Sequence, residues 1–169
     1  NQLFLNENNL TSLAFQLAVL QHPKTKEILA TQETKISNPD QLERFQWLLP
    51  AVSGDVNVRN DFMKALFDKK NREKESWVQS GLVYIHHPLR QNQSVKFLPE
   101  ILNNLEEVQL TGDIFFPKGW LASSIGQYSS QKAYDILTNF VNENPDYNPI
   151  LLKKLYQTTD DLTRAQHIK

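Results

Sequence analysis

The stretch Asn71–Gln91, NREKESWVQSGLVYIHHPLRQ, shows most clearly how this chain folds. After a charged start, its larger side chains and its glycine recur at the spacing of one helix face, at Trp77, Gly81, Tyr84 and Ile85. The helix is expected to end before Pro88, because proline disfavours helical geometry in the residue that precedes it. The stretch therefore predicts an amphipathic helix followed by a sharp turn.

The same spacing continues along nearly the whole chain, with interruptions by proline, glycine and capping residues. In the first helix, the expected inner face consists of Leu10, Leu13, Ala14, Leu17 and Leu20. About eight or nine helices are expected, and antiparallel pairs would repeat at about 30–45 residues, as in helical-hairpin solenoids. We therefore predict an all-α chain, arranged as a superhelical array of antiparallel helix pairs (a HEAT/armadillo-like α-solenoid).

Several helix starts can be assigned from single residues. Asn38 is expected to cap a helix with Pro39 in its first turn, and Pro50 and Gly54 are expected to close it. Asp55 is expected to cap the next helix, with an inner face of Val58, Phe62, Ala65 and Leu66. Later helices are expected to start at Ser130 and Pro149. Another helix is expected to have an apolar face of Ile101, Leu102, Leu105 and Val108.

The composition is that of an ordinary globular protein. With 169 residues, 40% of them hydrophobic, a single helical domain spanning residues 1–169 is expected. The net charge of −1 disfavours nucleic acid and anionic membranes as partners, and no apolar run approaches the ~20 residues of a membrane span. The absence of cysteine excludes disulfides and Cys-based zinc sites. Because the chain begins with Asn and shows no leader, we expect a piece of a longer protein.

No complete catalytic centre is visible in the sequence. His86 and His87 are adjacent, so on a helix they would point about 100° apart and could not easily bind one metal ion. We therefore interpret both histidines as structural residues at the C-terminus of a helix, where the helix dipole favours them. Ser123 and Ser124 lack the Gly-x-Ser-x-Gly turn of hydrolases. The sequence therefore predicts no catalytic residue and no metal ligand in this chain.

The remaining polar groups favour structural roles. Glu106-Glu107 and Asp160-Asp161 are neighbours in sequence only, and such carboxylates diverge on a helix. The basic run Lys69, Lys70, Arg72 and Lys74 is interleaved with Glu73 and Glu75, so a solvated helix junction is expected. Trp47, Trp77 and Trp120 are expected in the core. The arginines could each bind a carboxylate, although internal pairing is the default; they are Arg44, Arg59, Arg72, Arg90 and Arg164.

Three segments carry a resemblance to a known family. They are Leu42–Phe45 (LERF), Asn71–Gln91, and Leu105–Lys118 (LEEVQLTGDIFFPK). Together they resemble the C-terminal helical domain of bacterial zinc aminopeptidases of the aminopeptidase N (gluzincin) family. Most of the chain takes part in this resemblance, from about Ser37 to Arg164.

The resemblance implies a non-catalytic domain that caps the active site of a larger enzyme and shapes peptide access. In similar enzymes, zinc is held by a His-Glu-x-x-His helix in the catalytic domain, and neither that motif nor the Gly-x-Met-Glu-Asn loop occurs here. Zn²⁺ and cleavage of N-terminal residues would therefore belong to the parent enzyme, and this fragment would hold no cofactor. The implied partners are the catalytic domain of the same parent chain and the peptide substrate.

One residue is chosen as a candidate for peptide contact. Some relatives bind the far end of a peptide through an arginine of this domain, and Arg90 is selected because it follows the His-His-Pro-Leu turn, although a surface salt bridge is the favoured alternative. Family analogy suggests a periplasmic or cell-envelope parent.

Two other function classes stay open at this point. A free-standing α-solenoid that binds peptides or scaffolds partners fits the helical pattern equally well. A small helical enzyme would need a convergent acid, base or nucleophile, which the sequence does not offer.

Overall fold

The computed structural model describes residues 5–168 and confirms the all-α prediction. Within this range there are twelve α-helical segments, one of them the single turn Gln91–Ser94, and no strand. The helices are α1 (Glu7–Val19), α2 (Thr25–Glu33), α3 (Pro39–Val52), α4 (Val56–Ala65), α5 (Glu75–Ile85), α6 (Gln91–Ser94), α7 (Leu98–Asn103), α8 (Leu105–Thr111), α9 (Phe116–Ala122), α10 (Gln131–Glu143), α11 (Pro149–Thr158) and α12 (Asp160–Ala165). Short 3-10 turns occupy Lys69–Asn71, Pro88–Arg90, Val95–Phe97 and Ile125–Gln127.

The described helices outnumber the expected eight or nine because two predicted helices are each divided and because the single turn α6 was not predicted. The first divides at Asn104, which separates α7 from α8, and the second at Thr159, which separates α11 from α12. Pro99 lies in the first turn of α7, where its missing N–H costs no helical hydrogen bond. The solenoid arrangement stays a prediction.

The chain divides into two compact units, one up to Phe62 and the other from Met63 onward, with the boundary inside α4. We call them the N-terminal unit and the C-terminal unit. No helix in the described residues is long and apolar enough to cross a membrane.

In the N-terminal unit, α1 packs against α2 and α3. The core face of α1 consists of Ala14, Phe15, Ala18 and Val19, and the ring of Phe15 stacks on that of Phe45 at 5.0 Å. The predicted leucine stripe is therefore wrong in part, because Leu10, Leu13 and Leu20 are exposed. Apolar residues surround most of α1, so periodicity alone could not select the packed face, and the aromatic ring buries more area than a leucine.

The C-terminal unit is built around α9, which packs against α5, α8 and α11. Trp120 of α9 is fully buried, and its indole N–H donates to the Ile101 carbonyl at 3.1 Å. The predicted stripe of α7 and α8 is confirmed, since each of its members is fully buried: Ile101, Leu102, Leu105 and Val108. The stripe predicted for α4 is wrong at Val58 and Ala65, which are exposed.

Most of the predicted caps are present. The Asn38 side chain accepts the backbone N–H groups of Asp40 and Gln41, and Asp55 Oδ1 accepts that of Asn57 at 2.8 Å. Ser130 Oγ accepts the N–H of Ala133 at the start of α10. Pro50 does not end α3 but lies within its last turn, where its missing N–H removes one helical hydrogen bond.

Candidate functional site

Two of the three segments, Asn71–Gln91 and Leu105–Lys118, meet in the C-terminal unit around Arg72, whereas Leu42–Phe45 lies in the N-terminal unit. The Arg72 side chain is buried; its Nη1 donates to the carbonyls of Leu66 at 2.8 Å and Phe67 at 3.1 Å. Its Nη2 forms an ion pair with Glu107, and its guanidinium carbon lies 5.7 Å from the centre of the Trp120 ring. The prediction that this basic run is a solvated junction is therefore wrong for Arg72, because a partner 35 residues away allows its charge to be buried.

A second link joins the same two segments. Glu75 Oε1, at the start of α5, accepts the backbone N–H of Asp113 at 2.8 Å. Asp113 Oδ1 in turn accepts the N–H groups of Phe115 and Phe116, which fixes the start of α9. Gly112 lies against this link, since a Cβ at its position would be 2.9 Å from Glu75 Oε1 and 2.5 Å from the Phe116 ring. The motif residues therefore hold one another in place.

His86 forms a buried pair with Tyr128. Its Nδ1 lies 2.8 Å from the Tyr128 hydroxyl, and the ring is fully buried. Burial lowers the pKa of His86 to about 3 and raises that of the Tyr128 hydroxyl. The predicted structural role is supported, but the helix dipole is not its reason, because the dipole would favour the charged ring and burial outweighs it.

The neighbouring histidine has a different partner. His87 Nδ1 accepts the backbone N–H of Leu89 at 3.3 Å, and burial together with the charge of Arg90 lowers the pKa of His87. The two imidazoles therefore serve separate parts of the turn. Within residues 5–168, no group of three His, Asp or Glu side chains is placed to hold a metal ion.

Arg90 lies in the turn after α5 and is buried, with 3% of its surface exposed. Its Nη1 donates to the Tyr84 carbonyl at 3.3 Å. Ser94 Oγ donates to the Ile85 carbonyl at 2.6 Å, which ties α6 to the end of α5. In this unit, Arg90 is packed against the end of α5. A contact between Arg90 and a peptide stays a prediction.

Ser124, Glu107 and Asp160 each make a structural contact within the fold. Ser124 is fully buried and donates to the Trp120 carbonyl at 2.6 Å, and Ser123 is nearly buried. Glu107 pairs with Arg72 while Glu106 is exposed, and Asp160 forms an exposed ion pair with Arg164 at 2.7 Å. The paired carboxylates therefore diverge, as the helical spacing predicts.

The tryptophans and remaining arginines divide between core and surface. Trp120 is core, as predicted, whereas Trp47 and Trp77 are half-buried. Trp47 packs edge-on against Phe62, with ring centres 5.0 Å apart.

Arg59 is buried and donates to the Ser53 carbonyl at 2.6 Å. Burial lowers the pKa of Arg59, and the charge of Asp55 partly opposes this shift. Arg72 pairs with a carboxylate, as predicted for the arginines, and Arg59 and Arg90 donate to backbone carbonyls.

A cavity of about 580 Å³ in the N-terminal unit was not predicted from the sequence. It lies between the α1–α2 turn and the α3–α4 loop, and its lining includes Ala18, Gln21, His22, Lys26, Leu29, Leu49 and Asp55. At Gln21 the backbone has a φ of 55°, in the left-handed region. Glycine at this position would have indicated a tight turn, but a glutamine gives no such signal.

The buried polar contacts described above are all internal to one unit or the other. Searches for similar proteins found no matching family model, no matching curated protein and no matching solved structure. The assignment to a family therefore depends on the residues of the three segments and stays a proposal.

Proposed function

We propose that this chain is the non-catalytic C-terminal helical domain of a bacterial zinc aminopeptidase. In that role it caps the active site of the parent and shapes the access of peptides, while the parent removes N-terminal residues. We expect its helices to form the superhelical array of such a domain.

The observation that supports this proposal is the interlocking of the motif segments. Asn71–Gln91 and Leu105–Lys118 are joined by the Arg72–Glu107 ion pair and by the hydrogen bond from Asp113 to Glu75. These segments carry the resemblance, and their side chains with defined partners contact each other inside the fold. Motif residues that serve the architecture are what a capping domain needs, because its contribution is a fixed shape and not a reacting group.

We propose that the domain favours long peptide substrates over short ones. A wall that contacts only the distal part of a peptide supplies binding energy only to substrates long enough to reach it. A long peptide would then gain kcat/KM from the domain, whereas a single-residue reporter would not. Zinc supplies the activation of water in the parent's catalytic domain when it is bound there.

The complete reading frame provides the first test. We expect a His-Glu-x-x-His motif in the same open reading frame, upstream of Asn1. A frame that encodes only helical repeats would overturn the proposal and favour the free-standing peptide-binding or scaffold module. The 169-residue chain alone should not cleave aminoacyl reporters, and turnover that survives removal of contaminating peptidases would also contradict the proposal.

Arg90 provides a test within the full-length enzyme. Arg90→Ala should lower kcat/KM for peptides of several residues and spare a single-residue reporter. Arg72→Ala is the matched control, because it removes another buried arginine of the same unit that is not proposed to contact peptide. The control should lose stability without discriminating between the two substrates.

The two variants separate a peptide role from a purely structural one. If Arg90→Ala lowers kcat/KM equally for both substrates, as expected of Arg72→Ala, Arg90 is only an anchor of the turn. That result would remove Arg90 from the peptide chamber and leave the capping role to the rest of the domain.

A further inference from the structure

We draw no further inference here: the strongest candidate, the exposed apolar surface patch of Leu110, Ile114 and Phe115 around the turn between α8 and α9, carries no proposal because nothing in the structure shows what covers it.

Discussion

The N-terminal unit and the C-terminal unit are both built from short amphipathic helices, but the C-terminal unit buries more polar side chains. In the C-terminal unit, a buried arginine, a buried histidine and a buried serine each have a defined partner, at Arg72, His86 and Ser124. In the N-terminal unit, α1 exposes large leucines and the cavity lies open beside its C-terminal end. Buried polar side chains are more numerous in the described part of the C-terminal unit, whereas the N-terminal unit holds two, Gln32 and Arg59.

This difference shows that an apolar stripe alone does not define a core. Leucines at helical spacing are buried in α7 and α8 but partly exposed in α1. Buried polar groups are costly unless they are paired, so they tolerate only the arrangement that pairs them. The C-terminal unit should therefore respond sharply to substitution, and the exposed face of the N-terminal unit should respond weakly.

A matched leucine pair should give the largest contrast. Leu105 is fully buried and Leu13 is half exposed. Leu105→Ala removes packed atoms and leaves a cavity, so we expect a loss of about 2–5 kcal/mol in the free energy of unfolding. Leu13→Ala should change it by less than ~0.5 kcal/mol. Urea denaturation of both variants measures the difference. Similar losses of unfolding free energy would show that Leu105 and Leu13 do not differ in burial.

Acid should destabilise the C-terminal unit through His86. The folded-state pKa of His86 is lowered to about 3, whereas an unfolded histidine titrates near pH ~6.5. As the pH falls below ~6.5, the unfolded chain binds a proton that the folded chain does not, so stability is lost until about pH 3. Between pH 7 and pH 4 the expected loss from this group is about 3 kcal/mol.

The variant His86→Gln isolates that contribution, because glutamine can still hydrogen-bond to Tyr128 but cannot take up a proton. Carboxylates titrate in both proteins, so the informative quantity is the difference between their two pH dependences in urea unfolding. If the wild type and His86→Gln lose the same stability from pH 7 to pH 4, the buried histidine does not control the acid response.

A pair of glycines should show the smallest contrast. A Cβ at Gly112 would come within 2.5 Å of Phe116 and 3.0 Å of the Val108 carbonyl, whereas one at Gly54 would meet nothing within 4 Å. Gly112→Ala should therefore cost about 1–3 kcal/mol through overpacking. Gly54→Ala should be neutral or slightly stabilising, because it restricts only the unfolded chain. Thermal unfolding checks both, and a tolerated Gly112→Ala would show that the Glu75 link can shift.

Much of the local structure could be predicted from the sequence, whereas the candidate sites could not. The caps at Asn38, Asp55 and Ser130 were predicted because each involves a side chain and a backbone N–H only two or three residues away. The pair His86 and Tyr128 lies 42 residues apart in sequence, and no local pattern connects them. The turn at Gln21 was missed for a different reason: it is closed by local backbone hydrogen bonds to Ala18 and Leu17, but glutamine does not indicate a left-handed residue by type.

The sequence by itself determined the helical class, most helix boundaries and the absence of disulfides, because these follow from contacts within a few residues and from composition. Only the tertiary structure decided which face of α1 is packed, that Arg72 is buried, and that Lys26 and Asp55 line one cavity. The physical reason is desolvation. Whether a charged or apolar group leaves water depends on neighbours that are distant in sequence, and folding alone brings those neighbours together.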